Sequence, residues 1–145
     1  MELPTYITVD EVKRICRELG IRDWTTLSKA EVLPEEAALI QESVGSEAAM
    51  IPAAEFLQGL EVELEHGLQF PDANVTNNHP LLTGKIVLAH LKETLDYYAR
   101  LEVAELEGDL LKAITAGNAD KIKSVYKKLI AARLHLGQKE ADQLV

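Results

Sequence analysis

The chain has 145 residues and a mass of 16.0 kDa, with 47% hydrophobic and 27% charged residues, 8 Gly and 5 Pro. This composition belongs to a folded domain and excludes a collagen-like, low-complexity or wholly disordered chain. With 15 Lys plus Arg against 24 Asp plus Glu, the formal charge is −9 and the pI near 4.9, so no nucleic-acid partner is expected.

No apolar run approaches the roughly 20 residues that span a bilayer, and Met1 to Thr8 lacks the basic and apolar regions of a secretion signal. The expectation is one helical domain over residues 1–145, cytoplasmic, with no membrane partner. The single cysteine, Cys16, rules out an internal disulfide or a two-thiol zinc site.

Taken in chain order, Thr8-Val9-Asp10-Glu11 matches a capping box. Val9, Val12, Ile15, Cys16 and Leu19 follow at helical spacing, and Gly20 supplies a left-handed stop. Cys16 lies on the apolar stripe and reads as a buried, structural thiol. Gly20 to Ser28 is a connection in which Trp24 plugs the edge of the core. Ser28 to Glu31 is a second capping-box match, but Pro34 leaves two alternatives open: a short turn there, or a helix from near Pro34 to about Gly45.

Pro52 opens a clear helix with Ala53, Phe56, Leu57, Leu60 and Leu64 on one face, ending at His66 and Gly67. The segment Leu68 to Pro80 is a polar, ordered loop. From Leu81 to Ala116 the pattern is helical in two phases, which predicts a kink near Gly108 or within residues 102–107. Gly117 and Asn118 introduce a last helix, expected to end at Gly137. No strand alternation appears, so the fold class is all-α, a bundle of about five helices in which the 68–80 loop joins two central helices.

Charge is unevenly placed. Glu31, Glu35, Glu36, Glu42, Glu47, Glu55, Glu61, Glu63 and Glu65 occur with no Lys or Arg between them, whereas Lys121, Lys123, Lys127, Lys128, Arg133 and Lys139 dominate the end. The two stretches should attract each other, within one chain or between the copies of a homodimer.

One block carries separated short motifs: Val62-Glu63-Leu64-Glu65-His66-Gly67, Asn74-Val75-Thr76-Asn77, Thr83-Gly84-Lys85-Ile86, Ala89-His90-Leu91, Glu93, Asp96-Tyr97-Tyr98 and Arg100-Leu101. Over about residues 55–102 it resembles a family of uncharacterised proteins, domain of unknown function 5661, whose name implies no activity. In two departures, His79 stands where that family usually has an acidic residue, and Leu95 where it often has Pro. The second bears on whether His90 and Tyr97 share a helix, since a proline there starts a new one.

Within the block, His66, His90, Glu93, Tyr97 and Arg100 are the candidate ligand-binding residues. If the chain doubles back after Gly67, His66 and His90 approach each other near Glu63, Glu65 and Glu93. The leading reading is a non-catalytic binding or interaction module for a protein or small molecule, without cofactor. The alternative is a transition-metal protein or metal-dependent enzyme on His66, His90 and Glu93, because imidazoles with carboxylates suit such ions. Whether the chain is an enzyme is left undecided: no nucleophile, base and orienter are singled out.

Several motifs have plainer readings. Asp72, Asn74, Thr76 and Asn78 resemble the start of an EF-hand, but Asn77 replaces its glycine and Thr83 its bidentate Glu, so Asx and Ser/Thr turns explain them better. Thr83-Gly84-Lys85 lacks the upstream glycine of a phosphate loop, and Gly84 reads as a close-packing position. Of Tyr97 and Tyr98, one ring is expected to be buried and the other at the rim.

Overall fold

The structure is a computed structural model that describes residues 4–144. It is all-α: among the described residues there are seven α-helices, more than the five expected, with two short 3-10 turns and no strand. The helices are α1 (Val9–Leu19), α2 (Pro34–Val44), α3 (Ser46–Ala49), α4 (Ala53–Gln69), α5 (Pro80–Glu93), α6 (Tyr97–Thr115) and α7 (Ala119–Gln143). They fall into two compact units, Met1–Leu95 and Asp96–Val145.

The first unit begins as the sequence dictates. Thr8 accepts a hydrogen bond from the Glu11 amide at 3.2 Å, and Gly20 closes α1 at φ 71°, a conformation that costs glycine nothing. Val12, Ile15 and Cys16 are buried, and burial pushes the Cys16 thiol pKa up. The connection holds a 3-10 turn, Trp24–Thr26, capped by Asp23, and the Trp24 ring is fully buried. No helix forms at Ser28 to Glu31; the alternative beginning at Pro34 is the one adopted.

Helix α2 packs on α4 and α5, and α4 packs on α5, with Ile40, Phe56, Leu60, Leu64, Val87 and Leu91 all buried. Each such side chain contributes about 1.5–3 kcal/mol on leaving water. Gly84 lets α5 come close: a β-carbon there would stand 2.7 Å from Cγ2 of Val44 and 2.9 Å from Cγ2 of Ile40.

Three boundaries differ from expectation. Helix α4 runs past Gly67 to Gln69, and α7 runs past Gly137 to Gln143. The long 81–116 segment breaks at residues 94–96, not near Gly108, which lies exposed inside α6. Thr94 takes an extended backbone at φ −160°, ending α5, and Leu95 is 45% exposed instead of facing a core. The break lies earlier than the change of phase, which falls between Leu101 and Val103, within the continuous helix α6. His90 and Tyr97 therefore lie on different helices.

In the second unit α6 and α7 pack on each other as a helical hairpin, with Ala113, Val125, Leu129 and Ala132 buried. Asn118 caps α7 by accepting from the Lys121 amide at 3.0 Å.

Candidate functional site

Helix α4 places Glu63 and His66 one turn apart, so their side chains share a face. The chain turns back and α5 brings His90 to the same carboxylate. Oε1 of Glu63 is 3.5 Å from Nε2 of His90, and its Oε2 is 4.0 Å from Nδ1 of His66. The expected approach of the two imidazole-bearing turns is thus present, with Glu63 between them. The Glu63 side chain is only 16% exposed, whereas His66 and His90 are 42% and 31% exposed.

The loop after α4 is held by its own polar groups. Nδ2 of Asn74 donates to the Gly67 carbonyl at 3.2 Å and to Oδ1 of Asn78 at 2.8 Å. Its Oδ1 accepts from Oγ1 of Thr76 at 3.2 Å and from the Asn78 amide at 3.4 Å. Both donor hydrogens and both acceptor lone pairs of that one amide are thereby used. Asn77 and Asn78 sit at φ 51° and 57°, a left-handed conformation that asparagine tolerates better than most residues. Asn77 also donates to the Ile7 carbonyl at 3.5 Å. The loop is thus held by local side-chain bonds, but Asn74 reaches the amide four residues on instead of the two of an Asx turn, and Thr76 donates to a side chain instead of accepting from an amide.

His79 ends the loop as a helix cap. Its Nδ1 accepts from the Leu82 amide at 3.4 Å, and its Nε2 lies 3.7 Å from Oε1 of Glu11. An imidazole in this role offers α5 what an acidic cap would, namely an acceptor for an early amide.

Between α4, this loop and α5 lies a hollow of about 240 Å³. Glu63, His66, Asn74, Thr76 and Thr83 supply its polar wall; Phe70, Val75 and Ile86 are among its apolar lining. Phe70 is 50% and Val75 82% exposed, so the apolar wall includes the rim.

Glu93 is the last residue of α5 and is exposed. Among the described residues no group of three or more His, Cys, Asp or Glu could hold a metal ion. Tyr97 and Arg100 belong to the second unit. There the Tyr97 and Tyr98 rings meet edge to face at 5.2 Å, with Tyr98 buried and Tyr97 partly exposed, as expected of the pair. Arg100 grips the buried Asp96 through Nε at 2.9 Å and Nη2 at 2.7 Å, and reaches Glu140 at 2.8 Å. The hydrogen bonds to Asp96 push its pKa further up, and this fork is committed within its own unit.

One pair escaped the sequence reading. Glu36, within the acidic stretch, is 2% exposed and takes Arg22 through Nε at 2.9 Å and Nη2 at 2.7 Å, together with the Arg22 and Leu33 amides. Burial works to raise the Glu36 pKa, but Arg22 and the two amides outweigh it and hold the carboxyl below its usual value. The only local signal was its place three residues after Leu33, where a Glu side chain can reach back to the amide before a helix.

A family model described as "Protein of unknown function (DUF5661)" matches residues 12–107, and the chain belongs to that family. The match covers Glu63, His66, the loop and His90, and ends within α6. No curated protein and no solved structure matches the chain. Among the described residues no helix is long and apolar enough to cross a membrane.

Proposed function

We propose that this member of the family is a non-catalytic, cytoplasmic binding module, and that its recognition site is the hollow between α4, the 70–79 loop and α5. The observation that carries the reading is the Gly67–Asn74–Asn78 lock, which ties the loop to the end of α4 beside the hollow. A preformed site avoids the ordering cost that a flexible loop incurs on binding.

At about 240 Å³ the hollow lies just below the range of about 300–1,000 Å³ of small-molecule sites, which favours a ligand of fragment size over a protein segment. Binding without catalysis fits the lining. Thr76 spends its hydroxyl hydrogen on Asn74 instead of on a base.

The test is a thermal-shift screen of fragments of all charges against the natural chain and Ala73→Trp, which places an indole at the mouth from an exposed position. Stabilisation of the natural chain that is lost in the variant is the expected result. Equal shifts in both, or none in either, would overturn the proposal. Adding Zn²⁺, Mn²⁺ or Fe²⁺ in the same assay tests the metal alternative; a stoichiometric shift abolished by His66→Ala and His90→Ala would favour it.

A further inference from the structure

We infer that the hollow takes a small organic cation, an ammonium head on Glu63 carrying an apolar body against Phe70, Val75 and Ile86. This inference rests on the binding-module reading above and adds the chemical class of the ligand.

Three independent features point to it. The lining holds the Glu63 carboxylate and no Lys or Arg. An anion would therefore meet repulsion with no Lys or Arg to receive it, and a cation would meet a largely desolvated carboxylate that already faces His90 at 3.5 Å and His66 at 4.0 Å. The side-chain donors of the two polar loop residues in the lining are also committed: both hydrogens of the Asn74 amide go to Gly67 and Asn78, and the Thr76 hydroxyl hydrogen goes to Asn74. Thr76 keeps acceptor lone pairs, so the wall between Glu63 and the loop asks for a donor.

The third feature is the setting. His66 and Gly67 line the hollow from the last turns of α4, and the carbonyl end of a 17-residue helix favours positive charge. Half-exposed Phe70 stands at the rim, where an aromatic face attracts a cation as well as an alkyl chain. The same lining explains why a bare inorganic cation fits less well. Phe70, Ala73, Val75 and Ile86 give it nothing to bind, whereas an alkyl or aryl body covers them.

The experiment is calorimetric titration of the full chain with benzylamine, benzyl alcohol and benzoate, which share a shape and differ in charge. Benzylamine is expected to bind about tenfold more tightly than the alcohol, and benzoate most weakly. Glu63→Gln is expected to erase the preference for the amine, and Phe70→Ala to weaken the amine while leaving the fold intact. Should Glu63→Gln fail to fold, salt is the second measurement: between about 0.02 and about 0.5 M, amine affinity is expected to fall and alcohol affinity to hold.

Alcohol or benzoate binding as tightly as the amine, or a preference that survives Glu63→Gln, would overturn the cation inference and leave the hollow standing as a site. Binding by none of the three would also overturn it, and the fragment screen then decides separately whether the hollow binds anything.

Discussion

Gly67 and Asn78 lay claim to the same space: a β-carbon on Gly67 would overlap Oδ1 of Asn78 and stand 2.9 Å from Nδ2 of Asn74. Gly67 lies in the last turns of α4, so the helix itself carries the gap into which the loop's asparagines fold. Gly67→Ala is therefore expected to destabilise by about 1–3 kcal/mol through overpacking, although alanine is the better helix former. Gly84→Ala should cost a similar amount, because Val44 and Ile40 are stiff at their branch points. Gly108→Ala is the control: α6 leaves open space there, and about 0.5–1 kcal/mol of stabilisation is expected. Urea unfolding of the three variants checks the order.

Asn74→Ala removes the hub of the loop and strands the partners it satisfied. A loss of about 1–3 kcal/mol is expected, with faster amide hydrogen exchange confined to the loop and the end of α4. Exchange spread evenly over the first unit would contradict that placement.

Glu36 makes stability depend on acid. Its folded pKa is depressed, so its contribution is present above the unfolded carboxylate value and is lost as pH falls through the folded one. Natural chain and Glu36→Gln should therefore differ most near neutral pH and converge in acid. Glu36→Ala is expected to cost about 3 kcal/mol, since it leaves Arg22 without the carboxylate that neutralises it. Exposed Glu35→Ala should stay within about 0.5 kcal/mol.

Cys16 should resist alkylation in the folded protein at mildly alkaline pH, because it is 1% exposed and its thiol is pushed up by burial. Rapid modification without unfolding would show that α1 opens readily.

What could be read from the sequence was local. The Thr8 and Glu11 box, the Gly20 stop and the Pro52-led helix each depend on residues within a few positions of one another. The meeting of His66 and His90 was legible only conditionally, since it requires the return of the chain after the loop. The 94–96 break was legible only as an open question at Leu95, where the family often has Pro, because the two-phase apolar pattern pointed past Leu101, into a helix that is continuous. The burial of Glu36 was not legible: its place three residues after Leu33 suggests a cap and not a buried ion pair, and its partner Arg22 lies 14 residues away. The pairing of Arg100 with Glu140 on α7 was hidden for the same reason, its partner lying far along the chain.

The central claim, that the hollow beside Glu63 is a binding site, is tested most directly by amide shift mapping while the natural chain is titrated with the best-stabilising fragment. The account predicts that perturbed signals cluster at Glu63, His66, Gly67, Asn74 to Thr76, Thr83 and Ile86. Perturbations that avoid these residues, or gather on α6 and α7, would contradict it.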